Sequence, residues 1–308
     1  MASIILNQTI IMLVLILVGI LCSKTKIISQ DTNRQLSSLV LQVVNPVVIL
    51  MSFQTDYRPE LAKNLLITFG LSAAAFIIMI TVSYILVRSK PQRDTAIERF
   101  ASTYSNCAFM GIPLMNALFG AEGVFYLTAF ITVFNISVWT HGVILISGEK
   151  NLKQAIKVLY SPTIIAIALG IVMFFAQIKI PSVPAQALQF IADMNTPLAM
   201  LVSGITISQT NVIKLLKKPR IYYICLLKLI VIPLILMTGL TLLDIDEKVR
   251  MTVLVAAAAP PAAMCTLFAL RYGKNSLYSS EIFAAGTVLS VATLPAIVKV
   301  AEKISEIV

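Results

Sequence analysis

The stretch Asn106-Cys107-Ala108-Phe109-Met110-Gly111-Ile112-Pro113 interrupts one long apolar run, and Ala256-Ala257-Ala258-Ala259-Pro260-Pro261-Ala262-Ala263 interrupts another. A proline inside a helix removes one backbone hydrogen bond and clashes with the carbonyl group four residues earlier. In lipid, an unpaired carbonyl group is unfavourable by several kcal/mol unless protein or water covers it. We therefore expect the carbonyl groups of Phe109, Ala256 and Ala257 to lose their usual partners. Such breaks, at corresponding positions of two halves, indicate a transporter's binding site.

The composition of the chain is that of a polytopic membrane protein. Its 308 residues are 58% hydrophobic and 12% charged, with a mean hydropathy of +0.91, whereas soluble domains carry about 25% charged residues. The net charge of +10 does not indicate nucleic-acid binding, because the basic residues form short clusters between apolar runs. The four cysteines lie in or beside apolar segments without metal-site or redox spacing, so no metal, cofactor or disulfide is predicted.

Ten apolar segments can be drawn, and most of them reach the roughly 20 residues that span a bilayer. They are residues 4–22, 35–54, 62–87, 100–118, 122–146, 162–178, 187–208, 222–243, 250–270 and 277–299. Most of the 24 lysine and arginine residues lie in the loops after segments 1, 3, 5, 7 and 9. The positive-inside rule therefore predicts that these loops are cytoplasmic and that both termini are outside. No basic residue precedes segment 1, which favours a retained helix over a signal peptide.

Prolines recur at corresponding places in the two halves of this map. Segment 2 contains Asn45-Pro46 and segment 7 contains Asn195-Thr196-Pro197, while segments 4 and 9 contain Pro113 and Pro260-Pro261. Pairing 2 with 7 and 4 with 9 gives two five-helix units, residues 1–154 and residues 155–308. Because five is odd, the second unit enters the membrane upside down, as in many secondary transporters. The predicted fold is all-α, a polytopic membrane protein with ten transmembrane helices in two inverted five-helix repeats and broken helices 4 and 9 crossing near the midplane.

The predicted crossing would bring four half-helix ends together. Their N-terminal ends carry partial positive charge and free N–H groups, which suit an anion. Freed carbonyl groups suit a cation, a proton donor or water, and Gly111 would let another backbone approach closely. The alternative is that Pro113 only kinks a helix, which membrane helices tolerate. The predicted substrate-binding residues are Asn106, Gly111, Pro113, Asn135, Pro260 and Pro261.

Two asparagines in apolar segments are candidates for polar contacts with a ligand. Asn106 lies about two turns before Pro113, and its amide can bind a ligand or satisfy freed backbone groups. Asn135 lies in the middle of segment 5 and could reach the same cavity. A plain interhelical hydrogen bond is the alternative interpretation of Asn135.

Two charged residues in apolar segments are candidates for proton or charge coupling. Asp193 is the only carboxylate placed well inside an apolar segment, and intramembrane acids are usually functional. The alternative is a position nearer the outer surface, because the start of segment 7 is not sharply defined. Lys228 lies one to two turns into segment 8. Snorkelling to the interface is the default for such a lysine, and the alternative is that it attracts an anion into a cytoplasmic vestibule.

Two of these motifs are similar to those of a known family. The stretch from Asn106 to Leu114 resembles the fourth-helix motif of the plant PIN-type auxin carriers, with its asparagine and its Met-Gly-Ile-Pro. The stretch from Ala259 to Ala263, followed by Leu267 to Tyr272, resembles their ninth-helix region. The chain therefore resembles the auxin efflux carrier (AEC) family, and specifically its bacterial members.

Further positions support the resemblance from end to end of the chain. Asp193 and the stretch Met200–Gly204 resemble the family's seventh helix, and Lys228 with Pro233 resembles a basic-residue-plus-proline pattern in the eighth. Asn135 matches a fifth-helix amide position at which PIN-type carriers have glutamine. This difference argues against auxin itself as the substrate.

The resemblance implies how such a protein would work. It implies interleaved scaffold and transport subdomains, with segments 4 and 9 crossing in the transport subdomain, and alternating access of the elevator kind, often in a homodimer. Asn106 would lie at the crossover and touch the substrate's carboxylate. Bacterial relatives are associated with malate, malonate and similar organic anions. The long cytoplasmic loop of many plant members is absent, because segments 5 and 6 are joined by a short linker.

The ninth segment also bears on the coupling ion. The distant bile-acid sodium symporters share this general fold and have an acidic residue in the ninth-helix crossover that helps to hold sodium. Here the crossover is alanine and proline, without a carboxylate. We therefore expect no sodium site of that type.

The sequence thus predicts a secondary transporter that moves a small organic anion, a mono- or dicarboxylate, across the plasma membrane. The alternative is an anion-binding membrane receptor or sensor on a transporter fold. An intramembrane enzyme is not expected, because the chain has no HExxH or GxSxG motif and one histidine cannot anchor a zinc site by itself. The expected partners are the anion, the lipid bilayer and a second copy in a homodimer, without cofactor or nucleic acid.

Overall fold

The computed structural model describes residues 1–89, 94–148, 160–210 and 218–305, and every regular element in these ranges is a helix. Proline occupies the first turn of α3, α6 and α8, where its missing N–H group would have no helical partner in any case. The helices, in chain order, are α1 (Ala2–Lys24), α2 (Gln30–Ser52), α3 (Pro59–Leu86), α4 (Thr95–Thr103), α5 (Cys107–Ser147), α6 (Pro162–Ala176), α7 (Ser182–Ser208), α8 (Pro219–Thr241), α9 (Glu247–Ala258), α10 (Met264–Arg271) and α11 (Ser276–Ser305).

Seven of these helices, α1, α2, α3, α5, α7, α8 and α11, are long and apolar enough to cross a membrane. Helix α6 is apolar but has only 15 residues, and α4, α9 and α10 are shorter still. Helix α5 has 41 residues, and a straight helix of that length would measure about 60 Å, twice the hydrocarbon core. It is instead interrupted at Gly120, whose φ of 60° lies in the left-handed region that glycine adopts readily. The chain is therefore a polytopic membrane protein, and the count of ten segments stays a prediction.

The helices pack in two groups. In the first helix group, which comprises α1, α2, α6 and α7, α1 runs against α7, and α2 packs on α6 and α7. In the second helix group, which comprises α3, α4, α5 and α8 to α11, α3 packs on α4, α5 and α9, and α11 packs on α8 and α10. Helix α1 also contacts α5 and α11, so it lies where the two groups meet.

Glycines allow the close contact between α1 and α7. A Cβ atom at Gly204 of α7 would overlap the backbone carbonyl of Ile16, and a Cβ atom at Gly19 of α1 would overlap that of Leu201. Small residues at such a contact let two membrane helices approach backbone to backbone, which maximises their van der Waals attraction. The first helix group is thus held by a contact that only glycine permits on both helices.

We expect Gly204→Ala to lower the thermal unfolding midpoint of the detergent-solubilised protein. The added methyl group would overlap the Ile16 carbonyl, so α1 and α7 would have to separate, and overpacking of this kind destabilises by about 1–3 kcal/mol. The matched control is Gly239→Ala in α8, where nothing lies within 4 Å of the added Cβ atom. Equal midpoints for the two variants would contradict the close contact.

Three π-helical turns precede prolines within membrane helices. The turns Val40–Val44, Cys107–Gly111 and Leu227–Val231 end two residues before Pro46, Pro113 and Pro233, respectively. The ring of a proline would clash with the carbonyl group four residues earlier in a regular α-helix. A π turn pairs backbone groups five residues apart, which widens the helix at that point. These helices therefore continue through their prolines.

Candidate functional site

Two short non-helical connections meet inside the second helix group. Helix α4 ends at Thr103 and α5 begins at Cys107, while α9 ends at Ala258 and α10 begins at Met264. The backbones of the two connections pair as a single antiparallel bridge between Ser105 and Pro261. In this bridge the Asn106 N–H donates to the Pro260 carbonyl at 2.7 Å, and the Ala262 N–H donates to the Tyr104 carbonyl at 2.9 Å. The two interruptions therefore lie side by side, and four helix ends surround them.

The second break is at Pro260-Pro261, as predicted, but the prediction that Pro113 marks the first break was wrong. The non-helical residues are Tyr104 to Asn106, and Pro113 lies inside α5 after the π turn that accommodates it. The expectation for Ala257 holds in modified form. Pro261 has no N–H group that could donate to the Ala257 carbonyl. That carbonyl instead accepts a hydrogen bond from the Ser105 hydroxyl, at 3.1 Å.

Lys228 lies at this crossing rather than at a membrane interface. Its side chain is fully buried, and Nζ donates to the Thr103 carbonyl at 3.1 Å and to Ser105 Oγ at 2.6 Å. Ser105 in turn bonds to the Ala257 carbonyl, so the ammonium group is linked to the C-terminal ends of both α4 and α9. Helix C-termini carry partial negative charge, which a cation stabilises. The prediction that Lys228 snorkels to the interface was wrong, because the side chain points into the crossing, and the attraction of an anion by Lys228 stays a prediction.

A cavity of about 140 Å³ lies beside the crossing, between the two helix groups. From the first group it is lined by residues of α2, α6 and α7, and from the second group by residues of the crossing, α5, α10 and α11. A cavity of about 150 Å³ is large enough for benzene, so this one fits a small organic molecule. The lining residues are Ser37, Leu41, Asn45, Ile49, Ser105, Asn106, Cys107, Ala108, Phe109, Ile131, Phe134, Asn135, Thr163, Val202, Ser203, Thr206, Ala262, Ala263, Met264, Thr266, Leu267 and Phe283.

The wall contributed by the crossing is rich in hydrogen-bond donors. Asn106 is buried, and its amide nitrogen Nδ2 has no hydrogen-bond partner among the described residues. The N-terminal residues Ala108 and Phe109 of α5 and Met264 of α10 also line the cavity. N–H groups in the first turn of a helix have no partner within it and carry partial positive charge. This part of the cavity is therefore suited to an anion or another hydrogen-bond acceptor.

The cavity wall as a whole is neutral and largely apolar. Among the described residues that line the cavity there is no lysine, arginine, histidine, aspartate or glutamate. Its polar side chains are hydroxyl groups and the amides of Asn45, Asn106 and Asn135, and they stand among aliphatic and aromatic groups. Charge on a ligand would thus be balanced by helix ends and by neutral donors.

The structure brings two of the six predicted binding residues to this cavity. Asn106 and Asn135 both line it, and the Asn135 amide nitrogen donates to the carbonyl of Ile131 in its own helix at 2.8 Å. Gly111 is not among the lining residues, and an added Cβ atom there would meet only the side chains of Leu127 and Cys107, so no second backbone approaches it. Pro260 and Pro261 shape the crossing without lining the cavity.

A second cavity, of about 220 Å³, contains Pro113 and Asp193. Asp193 is exposed there, and its carboxylate accepts a hydrogen bond from Gln189 at 2.7 Å. Asn195 lines the same cavity, and its amide donates to the Asn45 oxygen at 2.6 Å. Asp193 therefore does not share a cavity with Asn106, which agrees with the alternative placement nearer the surface.

Ser105 and Asn45 are site residues that sequence reasoning did not select. Ser105 directly precedes Asn106, but a serine in an apolar segment carries no signal that a buried lysine will bind it. Asn45 was noticed only as a marker of the repeat, beside Pro46. Its position in the cavity wall follows from how α2 faces the crossing across the cavity, which no local pattern encodes.

Comparison with known proteins places this geometry in a family. A model of the family described as membrane transport protein matches residues 4–157 and 150–298, which together cover nearly the whole chain. The chain belongs to this family. It is the family of the auxin efflux carriers, so the resemblance seen in the motifs is confirmed, and the protein is a membrane transporter and not an enzyme.

Curated bacterial relatives match this chain over nearly its whole length. The uncharacterized transporter YfdV of Escherichia coli strain K12 is 23% identical over 308 residues, which cover 95% of this chain and 96% of that protein. The proteins of the same name from Escherichia coli O157:H7 and Shigella flexneri show the same identity and coverage. This chain is therefore similar to whole transporters rather than to a part of one.

Proposed function

We propose that this transporter is a secondary carrier that moves a small organic anion, a mono- or dicarboxylate, across the plasma membrane. The observation that carries the proposal is the cavity at the crossing, which is lined by helix N-termini and by Asn106, whose buried amide nitrogen has no partner among the described residues. A buried donor without an acceptor is unfavourable by about 1–3 kcal/mol. A carboxylate in the cavity would supply that acceptor, and its charge would be balanced by the partial positive charge of the helix ends.

The position of the cavity between the two helix groups supports an elevator mechanism. The crossing, with Asn106 and Lys228, belongs to the second helix group, and the opposite wall belongs to the first. In the proposed cycle the second group is the transport subdomain and carries the anion along the first, which is the scaffold. Asn106 travels with the anion, while Lys228 keeps the crossing neutralised throughout.

Contacts between corresponding residues support two inverted repeats, residues 1–154 and 155–308. Arg58 precedes the first proline of α3 and lies 3.8 Å from the carboxylate of Glu122. Lys218 likewise precedes the first proline of α8 and donates to Glu281 at 2.8 Å. Under the five-plus-five pairing, segment 3 corresponds to segment 8 and segment 5 to segment 10, so the two ion pairs occupy equivalent places.

The proposed orientation has both termini outside and the first cavity facing the cytoplasm. Ser37 near the start of α2 and Thr206 near the end of α7 line that cavity, and both are close to loops predicted to be cytoplasmic. Asp193, at the second cavity, would then lie on the outer side, where it is the candidate proton site. Assembly as a homodimer is part of the proposal and can be checked by light scattering of the detergent-solubilised protein.

We expect Asn106→Ala to reduce carrier activity by about tenfold or more. The alanine removes a donor to the anion, and hydrogen bonds to charged groups contribute about 1.5–3 kcal/mol. The measurement is counterflow of labelled pyruvate and labelled malonate in proteoliposomes, which only a carrier and not a sensor supports. The two compounds represent mono- and dicarboxylates of nearly equal size.

The matched control is Asn7→Ala, because Asn7 is exposed on α1 and lines neither cavity. This variant should retain the flux of the unmodified protein. Unchanged flux of a transported carboxylate in Asn106→Ala would refute the assignment of the site. Carboxylate binding without counterflow would favour the sensor over the carrier.

A further inference from the structure

Two asparagines of the first helix group form a buried pair between the two cavities. Asn195 Nδ2 donates to Asn45 Oδ1 at 2.6 Å, and the residues are 3% and 2% exposed, respectively. Asn45 lines the first cavity, and Asn195 lines the second. The pair is therefore a polar element of the partition between the cavities.

The hydrogen bond sets the orientation of the Asn45 amide relative to that of Asn195. Because Asn195 Nδ2 donates to its oxygen, a half-turn of the Asn45 amide alone would bring two NH₂ groups together and lose the bond. Asn195 Oδ1 is buried and has no partner among the described residues. Within the ranges that the structure describes, Asn45 Nδ2 donates to no protein acceptor, and it is not one of the buried, unpartnered nitrogens. An NH₂ group held in this way at a cavity wall is a donor available to a ligand.

We propose that Asn45 is a further binding residue of the anion site, with Nδ2 donating to the carboxylate from the first helix group. The proposal rests on the proposed function, because it assumes that an anion occupies the first cavity. Asn106 and the helix N-termini then hold the anion from the second group, so the ligand bridges the two groups. Asn195 is a positioning residue, since it reaches the anion only through Asn45.

This arrangement also gives the site a chemical preference. The amide nitrogens of Asn45 and Asn106 and the N–H groups of the helix ends are all donors. A carboxylate has only acceptor atoms, so it can form a hydrogen bond with each of these donors. A protonated amine of the same size has only donors and can form none. The selection of acceptors therefore comes from both sides of the cavity.

The test compares two variants that break the same hydrogen bond. Asn45→Ala and Asn195→Ala both remove the pair, so both should lower the unfolding midpoint of the ligand-free protein similarly. Only Asn45→Ala removes the donor to the anion. We expect it to weaken pyruvate binding, measured as thermal stabilisation over a pyruvate titration, about tenfold more than Asn195→Ala does. Equal losses of pyruvate affinity in the two variants would overturn the proposal and leave a purely structural pair.

A double variant guards against loss of the fold. Asn45→Leu with Asn195→Leu replaces both partners by apolar groups of similar volume, which leaves no buried polar atom unpaired. This protein should fold and should show the weakened pyruvate binding of Asn45→Ala. Undiminished pyruvate binding by the folded double variant would overturn the proposal.

A reagent-based measurement does not depend on the choice of substrate. In a cysteine-free background, the rate of reaction of Asn45→Cys with each methanethiosulfonate is divided by the rate of that reagent with a free thiol in solution. This ratio should be higher for an anionic methanethiosulfonate than for its cationic analogue, because the cavity favours negative charge. Equal ratios, or no reaction in detergent, would overturn the placement of residue 45 in an anion site. Loss of pyruvate binding in Asn106→Ala but not in Asn45→Ala would sink this inference alone, whereas an unmodified protein that transports no carboxylate would sink the proposed function.

Discussion

Replacing Lys228 by methionine should abolish carrier activity and lower the unfolding midpoint more than any other substitution considered for this protein. Methionine has nearly the length of lysine but lacks the charge and the donors. Lys228 is fully buried, and its ammonium group binds the Thr103 carbonyl and Ser105 Oγ at the centre of the crossing. The substitution leaves these two buried acceptors without their donor, and each hydrogen bond to a charged group contributes about 1.5–3 kcal/mol. Counterflow of pyruvate and thermal unfolding of the purified protein measure the two effects.

The substitution acts on the helix ends as well as on two hydrogen bonds. The C-termini of α4 and α9 converge on the crossing, and Ser105 connects the ammonium group to the second of them through the Ala257 carbonyl. Without Lys228 their partial negative charges would face each other in a low-dielectric interior. The lysine thus supplies a positive charge at the crossing from within the chain.

Lys299→Met is the matched control, because Lys299 is exposed on α11 and no function is proposed for it. It should leave both flux and unfolding midpoint close to those of the unmodified protein. Ser105→Ala should have an intermediate effect, since it keeps the charge and the bond to Thr103 but removes the link to α9. Full activity in a folded Lys228→Met protein would show that the crossing needs no fixed positive charge.

The sequence was sufficient to predict the second break of the crossing, and the reason lies in proline chemistry. Pro260-Pro261 cannot donate backbone hydrogen bonds, so α9 had to end beside them, and Asn106 could be selected because an amide in an apolar segment needs a partner. The prediction for Pro113 was wrong, because a π turn accommodates this proline by pairing backbone groups five residues apart. No sequence rule says which prolines a π turn will accommodate.

The residues that could not be predicted are those whose roles depend on tertiary packing. The distance of Lys228 from the end of its segment predicted a side chain that reaches the interface, and no local pattern indicated that Thr103 and Ser105 would surround it. In the same way, Asn45 was visible as half of a repeat, while its contact with Asn195 depends on how α2 meets α7. Local periodicity predicts which face of a helix is polar, but the residues that contact this face are determined by how the helices pack together.

Pyruvate should be transported at least about 100-fold more efficiently than malonate when both carboxylates of malonate are ionised. The cavity offers one cluster of donors, formed by Asn106 and the helix N-termini, which can receive one carboxylate. A second carboxylate would face apolar groups such as Leu41, Phe134 and Phe283, because no basic side chain lines the cavity among the described residues. Burying an uncompensated ion is unfavourable by several kcal/mol, and each 1.4 kcal/mol is a factor of ten. The comparison of kcat/KM for the two labelled compounds in proteoliposomes tests this preference.

The same reasoning predicts how to change the preference. Leu267 of α10 lines the cavity and is 47% exposed, so a lysine there can keep its stem along the wall and place its ammonium group near a second carboxylate. Leu267→Lys should therefore raise the malonate-to-pyruvate ratio of kcat/KM by about tenfold. Leu270→Lys is the control, because Leu270 is on the same helix and similarly accessible, at 55%, but does not line the cavity.

Malonate transport as efficient as that of pyruvate in the unmodified protein would contradict the neutral wall, and the resemblance to malonate carriers would then be the better guide to the substrate. A shift produced by both variants alike would mean that the added charge attracts dianions to the surface and not to the site.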